Sequence, residues 1–265
     1  MFRLTTCLFL CCFLTMSAHE AQAQAQRDPQ ATTLVSQSLQ AADGTTVLTD
    51  VTLTGTATRT AGSDIESGTV TLRALGGLDG RMDLTLTNGP RSEVINQSHG
   101  TTGEWSGPDG AQHAMAQHNS FVPAAWFFPA LALAQALNDP SIQLAYVGQE
   151  MKESVAVQHI RFWRMIPAGI SSDGQIKLFE HLTSADVYLD AANSLPVALD
   201  FNLHPDGNEL LDIPVKVRYS DYQKLNGILL PGRVQKFINN SLLLDLNITG
   251  AAVNTNLSPA EFGTN

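Results

Sequence analysis

The residues whose types could carry chemistry are few and scattered. His99, His113 and His118 fall in one Gly-rich polar stretch, Ser98 to Ser120, where imidazoles could in principle ligate a metal ion. Their spacing gives neither a tight His-x-x-x-His pair nor a carboxylate–histidine cluster, so the stretch reads as a polar surface loop with solvated imidazoles, and no metal site is expected. Gly103-Glu104-Trp105-Ser106-Gly107 sets a serine between glycines, but fourth in the run, whereas the serine-hydrolase elbow needs it third. His159 lies in the alternating run Val155 to Trp163, on one face with Val157, Arg161 and Trp163, and reads as a solvated or hydrogen-bonded imidazole. Glu180 and His181 are adjacent; on a strand adjacent side chains point to opposite faces, so they form no acid–base pair. Cys7, Cys11 and Cys12 all lie in the first 25 residues, and the chain beyond residue 25 has no thiol for a disulfide, a thiolate metal site or a nucleophile. No catalytic residue and no cofactor is therefore expected from local motifs.

The segment carrying those cysteines is itself informative. Arg3, the apolar run Leu8 to Met16 and the small-residue stretch Ala21-Gln22-Ala23-Gln24-Ala25 have the layout of a secretory signal, removed before Gln24 or Gln26. Its apolar run is about half the ~20 residues that cross a bilayer, and Phe9-Leu10 before Cys11 is no lipidation site, so no stable membrane anchor is expected. Processing removes one basic residue, Arg3, and one acidic residue, Glu20, leaving the formal net charge at -10. That acidity disfavours nucleic acid and anionic membrane surfaces as partners. Residues 26–265, roughly 240 in number, fit one large β domain, since no linker, repeat or low-complexity run divides them.

The elements that must position any site are mostly strands. Thr32 to Ala42 has a helical apolar period, while Thr46 to Thr60, Thr69 to Leu75 and Arg81 to Asn88 alternate as half-buried strands. Strand signals resume at Ser141 to Val147, Val155 to Met165 and Lys177 to Leu189, broken at Gly148-Gln149-Glu150 and Ser171-Ser172-Asp173-Gly174. Asp186 to Asp190, Val197 to Leu203, Ile213 to Ser220, Ile228 to Asn239 and Leu242 to Thr249 read as an antiparallel meander. Its reversals fall at His204 to Asn208, Asn226-Gly227 and Asn239-Asn240. Phe121 to Leu137 is apolar on nearly all sides, with Pro123 and Pro129 implying two short helical segments and a kink. A helix apolar all round needs cover on several sides, which a curved sheet provides. Trp126, Phe127, Phe128 and Leu131 are accordingly expected inside the curve, lining or closing an apolar cavity.

The C-terminal third carries a recognisable pattern: Leu189-Asp190 and then Pro196, Val217-Arg218-Tyr219-Ser220-Asp221-Tyr222, Asn226-Gly227-Ile228, Pro231, and finally Ile248, Val253-Asn254 and Phe262. It resembles the outer-membrane lipoprotein carrier and lipoprotein-sorting protein superfamily. The resemblance implies a mainly β fold with a few helices, a single curved antiparallel sheet forming an incomplete β-barrel around apolar helical segments. It also implies a cavity for acyl chains or other apolar groups, and a cavity arginine, for which Arg59 and Arg73 are candidates. The expected function is that of an exported periplasmic protein binding an apolar small molecule, lipid or lipoprotein-like ligand. An envelope protein partner, met by an interaction or sensor module, is the alternative, and a hydrolase or metalloprotein with its site assembled from distant residues the third reading.

Overall fold

A computed structural model of the protein describes residues 27–44, 46–166, 169 and 171–263. The export segment, with its three cysteines and both cleavage sites, lies outside the described residues. In chain order, helix α1 (Pro29–Asp43) leads into strands β1 (Asp50–Ala61), β2 (Asp64–Leu75), β3 (Asp79–Leu86), β4 (Gly89–Asn96), β5 (Thr102–Ser106) and β6 (Gln112–Ala114). A 3-10 turn, Gln117–Phe121, and helix α2 (Pro129–Asn138) precede β7 (Ile142–Lys152), β8 (Val155–Arg164), helix α3 (Asp173–Thr183) and β9 (Ala185–Asp190). Next come β10 (Pro196–Leu203), β11 (Ile213–Ser220), β12 (Gln223–Leu225), β13 (Ile228–Leu230), β14 (Arg233–Ile238), β15 (Ser241–Val253) and a last 3-10 turn, Pro259–Phe262.

Thirteen strands make one antiparallel sheet, ordered β6-β5-β4-β3-β2-β1-β15-β14-β11-β10-β9-β8-β7 and not closed into a barrel. The first and last strands pair at its middle, Val51 opposite Val253 and Arg59 opposite Leu244. This topology dictates where the apolar segment goes. The two edges of the sheet, β6 and β7, are consecutive in sequence, so residues 115–141 must cross from one edge to the other, and they cross on the inner face of the curve. The shortest such route buries the crossing chain, which is why it carries Phe121 to Leu137, the most apolar run of the described chain.

Local chemistry explains most boundaries. Asp28 caps α1 through its side chain to the Gln30 and Ala31 N–H groups, Pro29 occupies the first helical position, and Gly44 ends the helix at φ 64°. Pro129 opens α2 in the same way, after a separate turn, consistent with the expected break in the apolar segment. Asn226, Asn239 and Asn240 adopt φ of 49°, 49° and 62° at the expected reversals.

Four local expectations are corrected. Lys177 to Thr183 is helix: Ser172 and Gln175 form a reciprocal capping box, and Ile176, Phe179 and Leu182 recur at a helical three-residue spacing. Ser98 to Ser120 is no simple loop, because Thr102–Ser106 and Gln112–Ala114 extend the sheet to its edge. Gly148 does not stop its strand; β7 passes it with a bulge at φ 150°, and the chain reverses at Glu153 and Ser154. Ile228 to Asn239 is two strands, divided at Pro231-Gly232, where proline lacks the N–H a ladder needs. As a result β12 and β13 pair only with each other, and β14 returns to pair with β11.

Candidate functional site

The four aromatic and aliphatic residues expected to face a cavity sit together under the curve. Trp126, Phe127, Phe128 and Leu131 are 2%, 1%, 1% and 1% exposed. Trp126 and Phe127 pack edge to face with ring centroids 5.6 Å apart, and the buried Tyr219 hydroxyl donates to the Trp126 carbonyl. Two glycines let this segment lie against the sheet: a Cβ on Gly80 would stand 2.0 Å from the Ala124 carbonyl oxygen, and one on Gly77 would stand 2.4 Å from Gln135 Cβ. Of the four, Phe128 borders a narrow apolar seam between α1, α2 and the β12–β13 hairpin, with Leu39, Leu133 and Tyr222 among its walls. The seam holds about 10 Å³, room for about one water.

The open space lies at the other end of the same strands, beside the turns at 62–63, 87–88 and 239–240. Here a cleft of about 200 Å³ is floored by Met82, Leu84, Leu243 and Leu244 and walled by Arg59, Arg91, Glu93, Trp105 and Lys236. Strand alternation aims these groups inward: Arg59 shares a face with Val51, Leu53 and Ala57, while Arg91 and Glu93 stand opposite Leu84 and Met82. Arg73 belongs to the other face of β2 and pairs outside the cleft with Asp83 at 2.7 Å and Glu261 at 3.5 Å. Of the two candidate arginines, Arg59 is thus the one on the concave side.

The charges of the cleft are arranged in two layers. Glu66, 2% exposed, accepts from Arg91 at 2.6 Å and from Arg59 at 3.3 Å. The Arg91 hydrogen bond outweighs the cost of burial and holds the Glu66 carboxyl below the usual carboxylate range. Lys236, also buried, is 3.5 Å from Glu93, and its ammonium lies 4.4 Å from the centre of the Trp126 ring. The apolar floor and the packed end therefore meet at Lys236. At the mouth Trp105, 45% exposed, stacks on His113 at 4.2 Å. Sequence spacing singles out none of Glu66, Arg91 and Lys236, because a charge on the inward face of a strand looks, in isolation, like any charge in an alternating run.

The histidines divide differently from their spacing. His99 Nδ1 is 2.8 Å from the Ser98 hydroxyl, and His113 belongs to the cleft mouth through Trp105. His159 is buried on the outer face, between Glu150 at 3.1 Å and Asp186 at 2.7 Å and stacked on Tyr188 at 4.4 Å. His181, on a helix and so free of the alternation assumed for Glu180-His181, reaches Asp212 at 2.9 Å. His204 and Asp212 complete a cluster with it in which one ligating atom from each residue lies within 4.8 Å of the others. This is a carboxylate–histidine group of the kind that spacing does not reveal. The His204 side chain is 1% exposed; its Nδ1 comes no nearer than 3.6 Å to Asp212, and neither ring nitrogen makes a close hydrogen bond. An unpartnered buried polar group costs about 1–3 kcal/mol. Burial holds its imidazole below the usual histidine range, in the neutral form.

Among the described residues no helix is long and apolar enough to cross a membrane. No protein-family model and no curated protein matches the sequence. Solved structures do match the fold. The LolA superfamily protein NE2245 of Nitrosomonas europaea is 9% identical, with a TM-score of 0.53 over 88% of this chain and 97% of that one. An outer membrane lipoprotein-sorting protein domain from Vibrio parahaemolyticus is 11% identical, with a TM-score of 0.52 over 88% and 96% of the two chains. A DUF1329 family protein from Desulfovibrio piger is 10% identical, with a TM-score of 0.51 over 88% and 96%. The open, curved antiparallel sheet wrapped around a crossing apolar segment is therefore a LolA-like fold.

Proposed function

We propose that this is a periplasmic protein, exported by removal of residues 1–25, whose remaining residues 26–265 act as one domain that binds an apolar ligand bearing an anionic group. A fatty acid or an anionic lipid has that chemistry, and the acyl chains of a lipoprotein-like ligand share its apolar part. The observation that carries the reading is the open cleft on the concave face: an aliphatic floor beneath Arg59, Arg91 and Lys236. Three cations face two carboxylates, Glu66 and Glu93, a local positive excess in a chain of net charge -10. Apolar contact along Met82, Leu84 and Leu244 supplies affinity, and the cations orient the head of the ligand. Trp126, Phe127, Phe128 and Leu131 form the packed end against which the chain of the ligand abuts, with Phe128 on the seam that would have to open for a longer chain. The aliphatic floor and its cations support a binding role for the cleft.

Titration with a fluorescent fatty acid tests this. The parent protein should bind it at one site, Leu84→Trp should block that site by filling it, and Lys236→Met should weaken the fatty acid more than a neutral fatty alcohol. No binding by the parent, or equal binding by Leu84→Trp, removes the proposal.

A second reading has its own observation. β7 is an edge strand of 11 residues. Its first part is covered by Arg27 and Asp28, which bond to Ile142, Leu144 and Tyr146. Val147 and Met151 beyond it are exposed, an edge to which a protein partner could add a strand. Capture of an envelope partner that Met151→Lys abolishes would favour it.

A further inference from the structure

We propose that His181, His204 and Asp212 form a binding site for a divalent transition ion of the zinc class, with a remaining coordination position open to an outside ligand. The site is independent of the acyl-binding reading, and its residues share no wall with the charged cleft.

Four observations converge on it. The donor set is two imidazoles and one carboxylate, which suits zinc and its neighbours and does not suit calcium or magnesium, which prefer oxygen throughout. The three ligating atoms lie within 4.8 Å of one another, so side-chain rotations alone can bring them to the roughly 3.3 Å separations implied by metal–ligand bonds of about 2.0–2.2 Å. His204 is buried with no close hydrogen bond to either ring nitrogen, Nδ1 approaching Asp212 only to 3.6 Å, although buried polar groups are nearly always satisfied; an ion shared with Asp212 supplies the missing interaction.

The fourth observation is that the main chain holding the site is fixed. Asn119, itself buried, donates from its side-chain amide to the His204 carbonyl at 2.7 Å and accepts from the His204 N–H at 2.8 Å. The neighbouring residue, His118, packs edge-on against the His204 ring with centroids 5.9 Å apart. Phe121 and Phe179, edge to face at 5.2 Å, tie that same 3-10 turn to α3, whose last turn carries His181. Two side-chain clasps thus hold in place the main chain that carries two of the three donors before any ion arrives.

Access is present as well. His181 and Asp212 stand on the wall of a cleft of about 270 Å³, with Arg161 and Lys216 across from Asp186 and Asp200. An ion on the three donors would face that cleft, so a small anion could complete its coordination.

The test is calorimetric titration of the exported, chelator-stripped protein with Zn²⁺. One ion per chain should bind with a Kd at or below the order of micromolar. Asp212→Asn and His181→Gln should each weaken it at least tenfold; both side chains are exposed, so folding survives the change, as circular dichroism would verify. His204→Ala should abolish binding. His99→Gln and His113→Gln should leave it unchanged. Failure of the parent to bind Zn²⁺, or binding that survives Asp212→Asn and His181→Gln undiminished, overturns the proposal.

Discussion

The two ends of the concave face are built from the same strands and yet treat the inside of the curve differently. At one end the crossing segment lies directly on the sheet, with glycines at 77 and 80 where it approaches and Trp126, Phe127 and Phe128 sealed from water. At the other the aliphatic floor continues through Met82, Leu84 and Leu244, but nothing lies across it; buried and half-buried charges line it instead. An incomplete barrel can thus hold a packed core and an open cleft at once, because a single chain crossing from edge to edge covers only part of the curve. Dispersion contacts hold the filled end. Paired charges line the open end.

The largest expected effect breaks the filled end. Phe127→Ala removes a fully buried ring from a region with almost no free volume and should cost about 3–5 kcal/mol, read as a shift in denaturant midpoint at constant slope. A loss below about 2 kcal/mol would mean that this end is looser than its packing indicates. Gly80→Ala comes next. A methyl group 2.0 Å from the Ala124 carbonyl oxygen forces the crossing segment off the sheet, and about 1–3 kcal/mol should be lost in thermal or chemical unfolding.

Glu66→Gln addresses the open end and carries a pH signature. The folded protein holds the Glu66 carboxyl below its ordinary value, chiefly through the Arg91 hydrogen bond. Its stabilising contribution is therefore complete above the ordinary carboxylate range and is lost as pH falls through the lowered folded value. Parent and variant should differ by about 1–2 kcal/mol near neutral pH. The two unfolding curves should converge on acidification, and a gap that stays constant to low pH would contradict the role of Glu66 as a charged partner.

Trp105→Ala should have the smallest effect on stability, within about 1 kcal/mol, because nearly half of the side chain already meets water. If the mouth contacts ligand, it should nonetheless weaken the fatty-acid probe severalfold. Equal probe affinity would confine the binding surface to the floor between Met82 and Leu244.

How much of the fold is legible in the sequence depends on the range over which each force acts. Alternation reveals most strands, since which side of a pleat is apolar is written every second residue. Turn chemistry locates the reversals at Asn226-Gly227 and Asn239-Asn240, where the backbone takes positive φ. The C-terminal pattern points to the LolA-like fold that solved structures bear out. Lys177 to Thr183 reads wrongly as strand because a short apolar run suits either period; the deciding capping box lies just upstream, at Ser172 and Gln175, in a stretch whose Ser, Asp and Gly content looks like a simple break.

By itself, then, the sequence determined local matters: the strand-rich character, several turns, the need to enclose Phe121 to Leu137, and the absence of thiols after residue 25. Only the tertiary structure decided which charges meet. Arg59, Glu66 and Arg91 come from strands of one local meander, but Lys236 joins their cleft only because β15 pairs with β1 and so brings β14 near the first strands. His181, His204 and Asp212 come together only when α3 packs beside the loop between β10 and β11. Such meetings depend on how the whole sheet orders and curls its strands, a sum of many distant pairings that no window of neighbouring residues contains.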